Sequence, residues 1–390
     1  MNVLLITYYF PSCGAIGSKR WGGFYNLSLQ NKDIEFTVLT ANWNGEKIEN
    51  KKIHYLGNEI EYTPPVSINR EYTFSDTLKH PTVAIRSVDR SLFASWKNSV
   101  TKWIDENRDL KFDIVIASFG PSACLLLGSY AKKVYKVPYI LDLRDLVSMQ
   151  GQKKKIPLLN FIDITLDRFL TKDVDKFLTV SSTCKTKAEK FYKKDVEVIY
   201  NGLDIKLEDI DTDISISDKE NISILYTGTL GFTRNPNKIV NIIDEYIRQN
   251  PQVKVQIKFA SQDNPFDFIK QKNLLVEIQW LGYLSKEEVS TQREKSSALL
   301  LLEDQTENGN ENLTGKVFEY MASKKPIIVS CHENSDIIAL IKDTNSGNLI
   351  DNITDFDSFI KTQRFLNVNK VNEYSRENQF LRLIEMLKNV

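Results

Sequence analysis

Two runs of short apolar segments alternate with amphipathic ones and are broken once by an acidic stretch. This pattern constrains the 390-residue chain more than any other feature. In the first run Val3–Thr7, Phe36–Thr40, Asp113–Ala117, Tyr139–Leu141, Lys176–Val180 and Glu197–Tyr200 read as strands. Ser18–Leu29, Ser87–Asn107, Ser122–Val134, Leu158–Thr171 and Ser182–Tyr192 read as the helices between them. In the second of these, Val88, Leu92, Trp96, Val100, Trp103 and Ile104 share one stripe. Strands apolar on both faces must be covered on both faces, and intervening helices return the chain so that they run parallel. Residues 204–221 are acidic and lack a strong period, which reads as a linker. The pattern then restarts with strands Ile222–Thr227, Val253–Ala260, Val276–Leu281, Ala298–Leu302 and Ile327–Ser330. Helices are predicted at Asn237–Asn250, Ser285–Ser296 and Gly315–Ser323. A last helix, about Lys370–Lys388, has no strand after it. The expected organisation is a Rossmann-like unit over 1–203, the linker 204–221, a second such unit over 222–369, and a terminal helix in 370–390 packing back on the first. Two doubly wound units facing each other would make a cleft, with ligands beyond the carboxyl ends of the strands.

Three loops should line that cleft. After each unit's first strand comes G-x-x-G-x-x-R, as Gly14, Gly17 and Arg20, then as Gly228, Gly231 and Arg234. Glycine lets backbone approach a phosphate, and an arginine beyond it can bind oxyanions. Neither copy is the dinucleotide pattern G-x-G-x-x-G, which weighs against a nicotinamide dehydrogenase. The third loop opens the segment Glu311 to Ile328. There Thr314 is expected to cap a helix, Gly315 to admit a ligand, and Lys316 with the helix start to suit a phosphate or diphosphate. Val317, Phe318, Met321 and Ala322 should pack inward, leaving Lys316 and Glu319 on the other face. That spacing also fits an ordinary solvated i,i+3 ion pair, and both readings stand at this point.

Composition removes several classes. With 51 basic and 51 acidic residues the formal net charge is zero, against a general nucleic-acid binder. Four scattered cysteines without a C-x-x-C pair and three scattered histidines, His332 among them, argue against a metal cluster. Met1 leads straight into an apolar strand, so no signal peptide is expected. No apolar run approaches the ~18–20 residues needed to cross a bilayer. A cytoplasmic protein is expected, at most peripheral at the inner face of the membrane. One stretch could make that contact: Lys153-Lys-Lys155 followed by the apolar Ile156 to Ile162, basic then apolar as lipid docking requires. A solvated loop leading into a core helix is the reading favoured over it.

Several further segments carry a resemblance. These are Tyr9-Phe-Pro-Ser-Cys-Gly-Ala-Ile-Gly17 with Arg20, Val137 to Asp145, Val180-Ser-Ser182, Val198-Ile-Tyr-Asn-Gly-Leu-Asp204, Leu225 to Leu230, Trp280-Leu-Gly-Tyr283 and the Glu311 segment. In this order they resemble the retaining glycosyltransferases of family 4, with the GT-B fold, over nearly the full length. Within that family the chain looks most like bacterial surface-polysaccharide enzymes of the capsule or O-antigen kind.

The resemblance implies glycosyl transfer from a nucleoside-diphosphate sugar, a UDP-sugar or a GDP-sugar, to a glycan or polyprenyl-diphosphate-linked acceptor. No cofactor and no metal are expected, since no Asp-x-Asp cluster lies in a site loop and cations with a helix start can take a metal's place. The family's two glutamates, seven residues apart, match Glu311 and Glu319; Glu319 would bind the ribose hydroxyls and Glu311 the sugar. Thr314, Gly315 and Lys316 would hold the diphosphate, with Gly14, Gly17 and Gly228 nearby, and the base would rest near Gly282 and Tyr283. Arg20, Asp142, Arg144 and Asp145 would lie on the acceptor side, where a buried Asp–Arg pair holding the loop is an equal reading. The chain departs from the family at Thr229, where an arginine is usual; Arg234 falls at or beside the usual lysine. Alternatives are a nucleotide-sugar epimerase or hydrolase of the same fold, or a decayed nucleotide-sugar-binding subunit.

Overall fold

The computed structural model describes residues 1–13, 17–61, 94–144, 157–204, 212–231, 233–305 and 313–390, with backbone alone at 94 and 157–160. The chain forms two compact units. The first contains, in order, β1 (Asn2–Thr7), α1 (Gly17–Ser28), β2 (Glu35–Trp43), β3 (Ile53–Ile60), α2 (Ala94–Glu106), β4 (Ile114–Ser118), α3 (Ala123–Tyr135), β5 (Tyr139–Asp142), α4 (Pro157–Leu170), β6 (Lys176–Thr179), α5 (Ser182–Tyr192) and β7 (Val196–Val198). The second contains β8 (Asn221–Thr227), α6 (Asn237–Gln249), β9 (Lys254–Ala260), β10 (Glu277–Trp280), α7 (Lys286–Glu294), β11 (Ala298–Leu302), α8 (Gly315–Met321), β12 (Ile327–Ser330), α9 (Asp336–Thr344), β13 (Gly347–Leu349), α10 (Ile353–Lys361) and α11 (Val368–Glu373). The chain then re-enters the first unit as α12 (Arg376–Lys388).

Both sheets are parallel, ordered β3-β2-β1-β4-β5-β6-β7 and β10-β9-β8-β11-β12-β13. The continuous apolar strands follow from two-sided burial. Val3 and Leu5 of β1 face one core layer, with Trp21, Phe24 and Phe380. Leu4 and Ile6 face the other, with Trp96, Val100 and Ile104. In each unit the strand order reverses once, between β1 and β4 and between β8 and β11. At such a switch point the loops leaving the two strands diverge to opposite sides of the sheet, the usual place for a ligand; here the points lie beyond Thr7 and Ser118, and beyond Thr227 and Leu302.

The terminal helix closes one layer of the first core. Phe380, Leu383, Ile384, Met386 and Leu387 are buried there, Phe380 stacking on Phe24 at 6.1 Å. Gln379 Oε1 accepts the Tyr200 N–H at 2.9 Å.

Two strands and two α-helices among the described residues have no counterpart in the sequence reading. Strand β3 is a half-exposed edge whose polar residues break the apolar run. Strand β13 is three residues long, and its Gly347 leaves no room for a Cβ against the Ile327 carbonyl. Helices α9 and α10 carry capping side chains, Ser335 and Asn352, and buried apolar faces. The single helix expected over 370–388 is two helices, interrupted where Leu203 pairs with Ser375 and its N–H reaches the Tyr374 carbonyl. Residues 87–93 of the expected Ser87–Asn107 helix lie outside the described residues.

Candidate active site

The second unit's switch point gathers charge. Glu303 follows the last residue of β11 and is only 1% exposed. Its Oε2 accepts Arg234 Nε at 2.9 Å and Nη2 at 2.7 Å. Its Oε1 accepts the Thr314 hydroxyl at 2.9 Å. Thr314 does occupy the position before α8, in extended conformation, but its side chain makes no capping bond. This corrects the expected cap: a buried carboxylate is the stronger acceptor and takes the hydroxyl away from the helix start.

Helix α8 is anchored by Val317, Phe318, Tyr320 and Met321. The Thr227 N–H, at the end of β8, donates to the Tyr320 hydroxyl at 3.0 Å. That docking turns Lys316 toward β8, where its ammonium lies 5.0 Å from the centre of the Tyr226 ring. The solvated pair with Glu319 is therefore not the main feature of Lys316. Burial pulls its ammonium down to about 8; the charge of Glu303 opposes this, Arg234 reinforces it, and Glu319 opposes it least. The residue as a whole is half-buried, while its charged end is tucked against the ring and the Gly228 backbone. Glu319 itself is exposed.

Gly228, directly after β8, has φ of +126°. A Cβ there would sit 2.5 Å from Lys316 Nζ. The space the glycine leaves is thus used by the cation. Gly228→Ala should lower stability by about 1–3 kcal/mol, from backbone strain and overlap together. In a Lys316→Ala background the overlap disappears and only the strain remains. Equal losses in the two backgrounds, read by denaturant unfolding, would refute this account.

Gly315 begins α8 beside Lys316, within this cluster. Gly282, with φ of +71°, and the exposed Tyr283 follow edge strand β10, and no described contact joins them to the cluster. His332 accepts the Asn334 N–H in its own loop. Glu311 lies outside the described residues.

In the first unit Gly14 and Asp145 likewise lie outside the described residues. A Cβ on Gly17 would overlap Arg144 Nη1, which donates to the Gly17 carbonyl at 2.9 Å. Arg144 Nη2 donates to the Phe119 carbonyl at 3.1 Å. Gly17 therefore makes room for a guanidinium. Arg20 and Asp142 are 2% and 0% exposed and paired at 3.1 Å. Trp21 Nε1 and Ser118 Oγ also donate to Asp142, at 2.8 and 3.0 Å. Arg20 Nη1 donates to the Ile199 carbonyl at 2.7 Å. Side chains so enclosed cannot meet a ligand without a rearrangement.

The two G-x-x-G-x-x-R loops thus share a device: each arginine pairs with a buried acid at a strand's carboxyl end. They differ in access, since Arg234 is 32% exposed. Sequence reasoning missed Glu303. Its available signal was an ionisable residue immediately after the apolar run Ala298–Leu302, a place where a carboxylate is buried only with partners. Among the described residues no group of three or more His, Cys, Asp or Glu could hold a metal ion, and no helix is long and apolar enough to cross a membrane.

The model of Glycosyltransferase Family 4 matches residues 27–207, just under half of the chain. Sucrose-phosphate synthase from Thermosynechococcus elongatus superposes with a TM-score of 0.62 at 10% identity, covering 100% of this chain and 99% of that one. The N-terminal domain of trehalose-6-phosphate phosphatase from Candida albicans gives 0.60 at 11%, covering 100% and 96%. An apo lipopolysaccharide outer core galactosyltransferase gives 0.56 at 16%, covering 99% of each chain. No curated protein matches by sequence. At these identities the likeness is one of fold: two parallel-sheet α/β units of the GT-B type.

Proposed function

We propose that this GT-B chain is a retaining glycosyltransferase that moves a sugar from a nucleoside-diphosphate sugar to a glycan or lipid-linked acceptor, in bacterial surface-polysaccharide synthesis. The observation that carries the reading is the pair of cations, Lys316 and Arg234, held beside Gly228 at the second unit's switch point. Breaking a glycosidic bond to diphosphate leaves an oxocarbenium-like sugar and a growing negative charge on the leaving group. Fixed cations in a partly desolvated site stabilise that charge without reorganising. Helix α8 has only seven residues, so the side-chain cations carry more of this task than the helix start. Lys316, drawn down to about 8, is raised again when an anion arrives, so its proton is held most tightly with donor in place.

Glu319, exposed on α8, would accept the ribose diol, and Glu311 would contact the sugar. Gly282 and Tyr283 would receive the base, uridine in the first instance. Arg144 and Asp145 would handle the acceptor side, with the Arg20–Asp142 pair holding the loops beneath. The cations take the place of a metal. A membrane contact near Lys153–Ile162 would suit a lipid-linked acceptor at the cytoplasmic face; residues 153–156 lie outside the described residues, and Phe161 is exposed on α4.

A thermal-shift screen of UDP, GDP, ADP and their common sugars, with and without chelator, tests the reading. One nucleotide should raise the melting temperature, by the equivalent of about 2.7 kcal/mol at a hundredfold excess over its Kd, and a chelator should not remove the shift. No shift with any of them at millimolar concentration would sink it.

A further inference from the structure

Glu303 has no role in the proposed chemistry, which in the second unit gives work only to groups that would touch the donor. Yet a carboxylate this buried is tolerated only where its lone pairs are met. They are met by two segments remote from each other in the sequence. One oxygen takes Nε and Nη2 of Arg234, from the loop after β8, and the other takes the hydroxyl of Thr314, which leads into α8. We propose that Glu303 is the positioning residue of this site, a clamp that fixes the loop cation Arg234 and the helix cation Lys316 relative to each other at the ends of β8 and β11. The inference rests on reading the site as a diphosphate site and assigns the part of it that holds the cations in place.

Two consequences of the geometry support the role. First, Arg234 is gripped along its Nε–Nη2 edge, so Nη1, 3.5 Å from Thr229 Oγ1, is the end left toward the Gly228 loop. A guanidinium pinned on one edge loses less freedom when the other meets a phosphate oxygen. Second, the clamp is charged. The groups acting on the Lys316 ammonium are Glu303, Arg234 and Glu319, with the Tyr226 ring beneath it. Burial and Arg234 favour the neutral amine, and Glu303 is the largest influence the other way. Without the Glu303 charge, Lys316 would lose its proton in the empty site at lower pH. A neutral tether such as a glutamine would hold the same segments but could not do this.

The test pairs Glu303→Gln, which keeps shape and loses charge, with Thr314→Val, which cuts only the tether to α8. Without ligand, side-chain NMR of Lys316 gives its titration midpoint. It should fall by about one pH unit or more in Glu303→Gln and stay near the wild-type value in Thr314→Val. A wild-type midpoint in Glu303→Gln overturns the proposal, and this arm needs no nucleotide. With ligand, inorganic diphosphate is titrated calorimetrically at about pH 6.5 and about pH 8.5. Between these values Glu303→Gln should lose roughly fivefold more affinity than the wild type does. Thr314→Val should lose several-fold at both, with unchanged pH dependence; unchanged affinity there overturns the clamp, and decides the matter if Glu303→Gln does not fold. Wild type that binds no diphosphate at either pH defeats the proposed function instead, and leaves the NMR midpoint to judge Glu303.

Discussion

Lys316→Ala should turn over roughly a hundredfold more slowly than the wild type, or worse, without melting lower. The rate loss follows from removing one fixed stabiliser of a departing charge, typically ~2.7–4 kcal/mol. The stability side follows from linkage. The ammonium of Lys316 titrates at about 8 in the folded protein, below its ordinary 10.5. Between those values the unfolded chain holds more protons, so folding stability rises as pH climbs through that window. At neutral pH the charged amine therefore opposes folding, by on the order of a few kcal/mol at most. Lys316→Met, which keeps the apolar stem over Tyr226, should melt at or above the wild-type temperature. The same titration predicts that wild-type kcat/KM falls above about pH 8, while Lys316→Arg shows no such fall because a guanidinium stays charged. Full turnover in the purified alanine variant would end the assignment of Lys316 to the leaving group.

The largest stability effect belongs to the first unit. Asp142→Ala removes the carboxylate that pairs with Arg20 and also receives Trp21 and Ser118. Arg20 would keep its bonds to the Ile199 carbonyl and Asn201 Oδ1 but lose its ion pair in a site almost closed to solvent. Breaking a buried pair from one side typically costs about 3–5 kcal/mol. Denaturant unfolding should show a transition moved to lower concentration by that amount. Replacing both partners with apolar residues, as in Arg20→Met with Asp142→Leu, should recover much of it, because no charge is then stranded. An Asp142→Ala protein that unfolds like the wild type would mean the pair is not what holds this region.

These two sites differ in how far they could be read from sequence. Strands buried on both faces are legible as apolar runs, and the predicted Ala298–Leu302 matches β11 to the residue. The edge strand Ile53–Ile60 is not, because a half-exposed strand carries His54, Asn58 and Glu59 where a core strand would be apolar. Lys316 and Arg234 are legible as cations, one at a helix start and one in a loop. Their common partner is not, since Glu303 stands 69 residues from Arg234 and 11 from Thr314, and only the parallel crossover brings them together. The hydroxyl of Thr314 could be assigned to a helix start by local pattern alone; its actual acceptor is tertiary. Gly17 and Gly228 mark places of close approach in the sequence, but what approaches is the protein's own arginine and lysine.

The return of α12 to the first core sets an order on how this chain can be made. One layer of the first unit lacks Phe380, Leu383 and Ile384 until the whole second unit has left the ribosome. At ordinary elongation rates that is a wait on the order of ten seconds or more. During it Phe24 and its neighbours are an open apolar face, a natural target for a chaperone, while the second unit has all its own strands in one stretch and can fold first. The part synthesised first is thus the part finished last, reversing the usual order along a two-unit chain.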